Sequence, residues 1–141
     1  MRKITKLGQE IELPFGLDLP GYQLTSVKQT TIPSILSNSF FQGISVINIQ
    51  KKLKGFRSNP ELQKLLSPTL VETGISIHLD EDEMIQLVVN DNLIQNKHLI
   101  PVQTVISGQN IKVQLINVGL KDIVVNIEEL IATAIIFKSY R

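Results

Sequence analysis

The sequence predicts one all-β domain, built as a sandwich or a barrel. From about residue 69 onward, short apolar runs alternate with polar turn residues, which is typical of strands that recur at short spacing. Ile, Leu and Val fill most of the apolar positions, and such residues pack well on a pleated sheet. With 141 residues, 43% of them hydrophobic, the chain can form one hydrophobic core, so we expect a single domain over residues 1–141.

Two segments alternate apolar and polar residues as half-buried strands do. In residues 73–79 the apolar face carries Ile75, Ile77 and Leu79. In residues 111–116 it carries Ile111, Val113 and Leu115.

Three further runs, at 84–89, 123–127 and 130–137, are more continuously apolar. Such strands are expected either to be covered on both faces or to lie at a subunit contact. The polar stretches between strands, which we interpret as turns, lie at 80–83, 90–92, 107–110 and 118–122.

One short helix is predicted at about residues 60–66. Asn59 can cap it, Pro60 suits the first helical position, and Leu62, Leu65 and Leu66 form an apolar stripe. A helix of roughly two turns needs tertiary packing to persist.

Composition excludes several function classes. A net charge of +1 gives no general attraction to nucleic acid or to anionic membranes, and 5% aromatic residues without Trp offer few stacking platforms for bases. The absence of cysteine excludes disulfides, thiol nucleophiles and thiolate metal sites. No run resembles a signal peptide or a membrane span, so we expect a cytoplasmic protein without membrane contact.

Four segments in order resemble the frame of the dUTPase family, which includes the dCTP deaminases. Residues 15–19 resemble its A-G-Y-D-L start, and 71–79 its V-x-T-G-I strand. Residues 108–119 are similar to its G-E-I-K-V-x-L-x-N strand, and 128–136 to its G-D-R-I-A-Q-L segment. The resemblance implies a distorted jelly-roll or β-barrel that assembles as a homotrimer, with active sites between subunits. Relative to the family, this chain carries an insertion at about 28–68, which holds the predicted helix.

The residues that carry the family's chemistry are replaced. The resemblance puts Thr104 where the water-activating Asp belongs and Ser107 where the base-stacking Tyr belongs. A hydroxyl with a pKa far above neutrality cannot act as an unassisted general base, whereas a carboxylate beside the attacking water can.

The family's phosphate-binding Arg-Ser-Gly is replaced in the same way, by Asn90, Asp91 and Asn92. The carboxylate of Asp91 would repel a triphosphate. Near the end of the chain, residues 128–133 keep the Ile-Ala pair of G-D-R-I-A-Q but lose its Arg. Asp18 matches a polar motif residue of the family, and we interpret it as structural more readily than as part of a metal site.

The candidate nucleotide cleft therefore has hydrogen-bonding side chains and no assigned catalytic residue. Its members are Asp18, Asn90, Asp91, Asn92, Gln103, Thr104, Ser107 and Gln109. The candidate phosphate-binding residues lie in the insertion and are Lys51, Lys52, Lys54 and Arg57. The simpler interpretation of this basic cluster is a solvated strand end and loop.

We expect no metal site. The acidic run at 80–83 is interpreted as a charged hairpin tip that protects sheet edges, and His78 and His98 have no matched spacing for metal ligation. We therefore expect no cofactor, with magnesium relevant only if the protein is an enzyme.

Three hypotheses about function follow. The first is a non-catalytic dUTPase-fold protein, viral or from a phage, that binds a nucleotide or nucleotide-derived signal between subunits or docks on a regulatory protein. The second is a diverged dUTP diphosphatase or dCTP deaminase with carboxylates such as Asp91 or Glu72 recruited from new positions. The third is a structural trimer of a virion or another assembly.

Overall fold

The fold is built from short antiparallel strands. The computed structural model describes residues 2–16, 18–37 and 67–139. Within these ranges the strands are β1 Ile4–Lys6, β2 Gln9–Glu10, β3 Tyr22–Thr25, β4 Thr30–Ile32, β5 Thr69–Glu72, β6 Ile75–Ile77, β7 Glu83–Val89, β8 Leu99–Pro101, β9 Val105–Ile106, β10 Lys112–Asn117, β11 Ile123–Val125 and β12 Leu130–Lys138. A 3-10 turn at Ile35–Ser37 and a π-helical turn at Asn92–Asn96 complete the described elements.

The strands form four antiparallel sheets, so the all-β prediction is confirmed. Their orders are β3-β12-β7-β9, β5-β10-β8, β2-β1-β6 and β11-β4. Most pairs join strands that are distant in sequence, such as β3 with β12 and β1 with β6. The predicted helix at 60–66 and the basic residues Lys51, Lys52, Lys54 and Arg57 lie outside the described residues.

The predicted alternation of apolar and polar residues matches the observed burial. In β10, Val113 and Leu115 are buried, whereas Gln114 between them is half-buried. The core of buried apolar residues consists of Ile4, Leu24, Ile32, Val71, Ile75, Ile77, Ile85, Leu87, Val89, Leu93, Leu99, Ile111, Val113, Leu115, Val125, Ile131, Ala132 and Ala134.

In β7, one of the continuously apolar strands, one face is buried more deeply than the other among the described residues. Ile85, Leu87 and Val89 are buried, whereas Met84 and Val88 are half-buried. Coverage of the second face, by residues outside the described ranges or by a subunit contact, stays a prediction.

The acidic run at 80–83 differs from the predicted hairpin tip at its last residue. Glu83 begins β7, and its carboxylate accepts two hydrogen bonds from the Arg2 guanidinium, at 2.7 and 2.8 Å. The side chain of Glu83 is only 5% exposed. Arg2 also donates to the carbonyl of His78, so this bidentate pair fastens the start of the chain to the edge of the β7 sheet.

The structure also differs from the sequence-based prediction at residues 90–92, where a simple turn is expected. They lead into the π-helical turn, in which the backbone N–H groups of Leu93 and Ile94 both donate to the carbonyl of Asn90. The turn forms because Leu93 is drawn into the core, where it is 1% exposed.

Two motif residues hold the strand that follows β5. The buried hydroxyl of Thr73 donates to the carbonyl of Ile111 at 2.7 Å and accepts from the N–H of Ile75 at 3.1 Å. Gly74 has a φ of +67°, a left-handed conformation that glycine adopts without a steric penalty. At Gly108 the backbone lies close to β6, since an added Cβ there would lie 2.0 Å from the carbonyl oxygen of Ile77.

The buried amide of Asn117 joins three segments. Its nitrogen donates to the carbonyls of Ile32 at 3.0 Å and Lys121 at 2.7 Å, and its oxygen accepts from the N–H of Gly119 at 2.9 Å. Ser34 adds to this node, because its N–H donates to Asp122 and its hydroxyl donates to the carbonyl of Gly119. The amide therefore ties β4 to the end of β10 and to the loop after it.

Among the residues that the structure describes, no helix is long and apolar enough to cross a membrane.

Replacing Asn117 by Ala should lower the free energy of unfolding by about 3 kcal/mol, because it removes partners from two carbonyls and one N–H in a buried setting. Urea denaturation measures this change. The matched control is Asn126→Ala, at an exposed position, which should alter the free energy by about 0.5 kcal/mol or less. Equal losses in the two variants would contradict the role of the Asn117 amide.

Lowering the pH should remove the contribution of the Arg2–Glu83 pair to the stability of the fold. The hydrogen bonds from Arg2 lower the pKa of Glu83 from 4.5 to about 2. The folded state therefore binds this proton less readily than the unfolded chain, so the pair stabilises the fold above about pH 5 and progressively less as the pH falls toward about 2. We expect Glu83→Gln to lower the Tm at neutral pH, with a difference from the wild type that shrinks on acidification.

Thermal melts followed by circular dichroism at a series of pH values provide the measurement. Glu81→Gln is the control, since Glu81 is exposed and its side chain pairs with none of the described residues. A Tm difference between wild type and Glu83→Gln that stays constant down to low pH would show that the pair does not act in this way.

Candidate functional site

The candidate site lies where the end of β7 meets the start of β12. The N–H of Asn90 donates to the carbonyl of Ile131 at 2.9 Å, and its side-chain amide donates to the carbonyl of Leu130 at 3.3 Å. The Asn90 side-chain oxygen accepts from the N–H of Asn92 at 3.2 Å. The backbone thus brings residues 90–92 and 128–131 together, and we call this the β7–β12 junction.

The junction is acidic. Asp91 and Glu128 are exposed, and Glu129 lies beside them with a side chain that is 25% exposed. In the described part of the chain, the Nζ of Lys97 lies 3.8 Å from Glu129 Oε1 and pairs with this carboxylate. The other oxygen of Glu129 is buried without a hydrogen-bond partner among the described residues. An arrangement of three carboxylates and one paired lysine disfavours a highly charged anion.

The segment after β8 crosses from one sheet to another. β8 pairs with β10, and the N–H of Val102 continues this contact by donating to Gln114 at 3.0 Å. Two residues later, the carbonyl of Thr104 accepts from the N–H of Leu87, and β9 then pairs with β7. The backbone of residues 102–106 is therefore used for sheet contacts, and residues 99–109 include no acidic side chain.

Sequence comparison finds no relative: neither a family model nor a curated protein matches. The structure, in contrast, superposes on solved dUTPases. The dUTPase from phage phi11 of S. aureus matches with a TM-score of 0.68 at 9% identity, covering 100% of this chain and 92% of that chain. EIAV dUTPase matches with a TM-score of 0.62 at 13% identity, covering 99% and 90%. Streptococcus mutans dUTPase matches with a TM-score of 0.58 at 14% identity, covering 92% and 95%.

The chain has the dUTPase fold. In this fold, the polar residues that the sequence shares with the family's strand motifs have structural roles. Thr73 and Gly74, which match V-x-T-G-I, hold the chain between β5 and β6, and Asn117, which matches the end of G-E-I-K-V-x-L-x-N, anchors the loop after β10. The contacts of these three residues lie within one chain, so they stabilise its fold whatever its surface binds.

The predicted cleft residues fall into three groups on this fold. Asn90, Asp91 and Asn92 lie together at the β7–β12 junction. Gln103 and Thr104 lie within the segment that crosses between sheets, and Ser107 and Gln109 follow it; Gln103 accepts a hydrogen bond from Gln114 at 2.9 Å. The point where Thr104 contacts β7 is three residues from Asn90, roughly 10 Å along the strand. No hydrogen bond joins the two groups.

Asp18 lies apart from both groups. It precedes β3 near the end that pairs with Ala134, and its side chain is exposed. It makes no hydrogen bond or ion pair with the residues that the structure describes, so these contacts give no support to the structural role that we expected.

The two carboxylates proposed as recruited catalytic groups are in different surroundings. Glu72 belongs to β5, where Lys28 lies 2.6 Å and Lys112 3.9 Å from its oxygens. The hydrogen bond from Lys28 lowers the pKa of Glu72, so this carboxylate is held ionised and neutralised by its neighbours. Asp91 follows β7 in another sheet. The structure therefore does not join them into one catalytic pair.

Sequence reasoning did not find Lys97 and Glu129 as partners. They are 32 positions apart, and neither belongs to a motif with a known spacing to the other. The signal that brings them together is the register of β7 on β12, which places Val89 opposite Ala132. That register is a property of the folded sheet and could not be inferred from the spacing of charges.

The backbone at Glu128 is strained, and glycine should relieve it. Glu128 has a φ of +66° in the turn before β12, at the position where the resemblance places the Gly of G-D-R. A side chain costs about 1–2 kcal/mol in this left-handed conformation, so Glu128→Gly should exceed Glu128→Ala in free energy of unfolding by about 1 kcal/mol. Urea denaturation of both variants measures the difference.

The same two substitutions at exposed Glu81, whose φ is not positive, give the control. There Ala should be the more stable of the two, because glycine gains entropy in the unfolded chain. If Glu128→Ala is also more stable than Glu128→Gly, the backbone at Glu128 is not strained.

Proposed function

We propose that this protein is a non-hydrolytic dUTPase-fold protein that acts by binding. The observation that carries the proposal is the acidic β7–β12 junction. There, Asp91 and Glu129 stand where the resemblance places a phosphate-binding Ser and an acidic residue, and neither of the family's two arginines has a cationic replacement in the chain positions that match. The remaining cation, Lys97, is already paired with Glu129.

The segment that replaces the catalytic hairpin supports the same proposal. General-base catalysis needs a carboxylate or an imidazole within hydrogen-bond reach of the attacking water. Residues 99–109 offer only hydroxyl, amide and apolar side chains, and the carbonyl of Thr104 is engaged with the N–H of Leu87. Loss of such a base costs orders of magnitude in rate.

The ligand class that suits this surface best is a regulatory protein. The dUTPases of Staphylococcus bacteriophage 80alpha, which share the fold at 10% identity, are described as controlling transfer of virulence genes by a G protein-like mechanism. For that phage protein, a link between enzymatic activity and the capacity to induce SaPI has also been investigated. We infer for this chain a homotrimer that docks on a protein through the surfaces around the old intersubunit cleft.

A nucleotide or nucleotide-derived signal is the second candidate ligand. The observation in its favour is the cluster of four cations at residues 51–57, which would replace the lost arginines. The two candidates are distinguished by whether a free nucleotide stabilises the protein.

Two assays test the proposal. Incubation of the protein at high concentration with dUTP or dCTP and magnesium should release neither pyrophosphate nor ammonia, whereas an active dUTPase in parallel provides the positive control. Sustained turnover that Asp91→Asn abolishes would overturn the non-hydrolytic proposal and support the diverged enzyme.

The second assay is a thermal-shift screen with dUTP, dUMP, dCTP and cyclic dinucleotides. A ligand at 100 times its dissociation constant adds about 2.7 kcal/mol of stability, enough to raise the Tm by several degrees. A shift that Lys52→Gln with Arg57→Gln abolishes would support the nucleotide candidate. An unchanged Tm with every nucleotide favours protein docking. Protein docking is overturned in turn if the protein is an oligomer that retains no partner from host-cell extract.

A further inference from the structure

A cavity of about 450 Å³ lies between two loops next to the β7–β12 junction. One wall is the segment 96–98 that follows the π-helical turn, and the other is the segment 118–123 between β10 and β11. The size falls within the range of pockets that bind small molecules. None of the residues proposed for the nucleotide cleft lines it.

Both walls are fixed by hydrogen bonds within the chain. The N–H of Val118 donates to the carbonyl of His98 at 3.1 Å, which joins one wall to the other. The Asn117 amide holds Gly119 and Lys121 from behind. A cavity with such walls exists before a ligand enters, which lowers the ordering cost of binding.

The backbone of one wall is strained. His98 has a φ of +55°, and its side chain packs so closely on the other wall that a Cβ at Gly119 would lie 3.2 Å from the Cβ of His98. Left-handed conformations of residues other than glycine persist only where the surroundings impose them, and they cluster at binding sites. The close packing of His98 on Gly119 is what imposes the conformation here.

The lining combines apolar surface with positive charge. Val118, Leu120 and Ile123 form the apolar part, and Leu120 is 83% exposed among the described residues. The charged lining residues are Lys97 and Lys121. Lys121 makes no ion pair with the described residues, whereas Lys97 has a long contact of 3.8 Å to Glu129.

No carboxylate is among the described residues that line the cavity. Asp122 accepts the N–H of Ser34 at 2.9 Å, and neither Asp122 nor Glu129 is a lining residue. An anionic group that entered would therefore meet the ammonium of Lys121 first and could draw Lys97 from its partner. An apolar body on the same molecule would cover Leu120.

We propose that this cavity binds a small organic anion, with the carboxylate or phosphate between Lys121 and Lys97 and an apolar body against Val118, Leu120 and Ile123. The proposal is independent of whether the chain binds or hydrolyses nucleotides, since it uses no residue of the proposed cleft. A carboxylate and a phosphate monoester share the required chemistry, and separate probes distinguish them.

The test is a titration of the isotopically labelled protein with phenylacetate, hexanoate and phenyl phosphate, followed by the amide resonances of His98, Gly119 and Lys121 in NMR spectra. We expect saturable shifts with the anions. The neutral analogue phenylacetamide should bind at least about fivefold more weakly, because it forms no ion pair. A preference between phenylacetate and phenyl phosphate identifies the anionic group.

Three variants assign the contacts. Lys121→Gln should weaken binding of the preferred anion about fivefold, and Leu120→Ala should weaken it several-fold through lost apolar contact. Both side chains are exposed, so both variants are expected to fold. Lys138→Gln, an exposed lysine at the far end of β12 from the junction, is the matched control and should bind like the wild type.

Three outcomes would overturn the proposal. They are equal binding by Lys121→Gln and Lys138→Gln, equal binding of phenylacetamide and phenylacetate, and no saturable shift of these amides with any probe at millimolar concentration.

Discussion

The structure depends most on one buried side-chain amide. Asn117 satisfies two carbonyls and one N–H at a point where β4, the end of β10 and the following loop meet, with 1% of its surface exposed. Unpaired polar groups are costly in such a place, so the three segments can pack together only while the amide is present. The same amide shapes one wall of the cavity beside the β7–β12 junction. Fold and candidate binding surface are thus joined through a single residue.

The residues that match the strand motifs of the dUTPase family and the residues predicted for the cleft occupy separate positions in this chain. Thr73 and Asn117 bond to buried backbone groups and Gly74 adopts a left-handed conformation, so all three stabilise the fold. At the β7–β12 junction the Asn90 side chain also bonds to the backbone, to the carbonyl of Leu130 and the N–H of Asn92, whereas Asp91 and Thr104 make no side-chain hydrogen bond with the described residues. One fold can host many functions, so the fold alone does not decide what the side chains at the junction bind.

The β7–β12 junction and the neighbouring cavity both combine charged side chains with a strained backbone. The junction carries carboxylates and the strained Glu128, whereas the neighbouring cavity carries two lysines and the strained His98. Lys97 belongs to both, since it lines the cavity and contacts Glu129. An anion in the cavity and a ligand at the junction would therefore compete for the charge of one side chain. That gives the two surfaces a physical means of affecting each other.

The sequence by itself indicated β6, β7, β10, β11 and β12, but it gave no indication of β1, β2, β4, β8 or β9. Ile75 with Ile77, and Val113 with Leu115, are buried as their two-residue period requires, because the period fixes the direction of every side chain in a strand. The four motif segments also indicated the dUTPase fold. Only the tertiary structure decided which strands pair, that the chain crosses between sheets at 102–106, and that Arg2 meets Glu83 and Lys97 meets Glu129. Those contacts depend on register between strands far apart in the chain, and local periodicity carries no information about register across such distances.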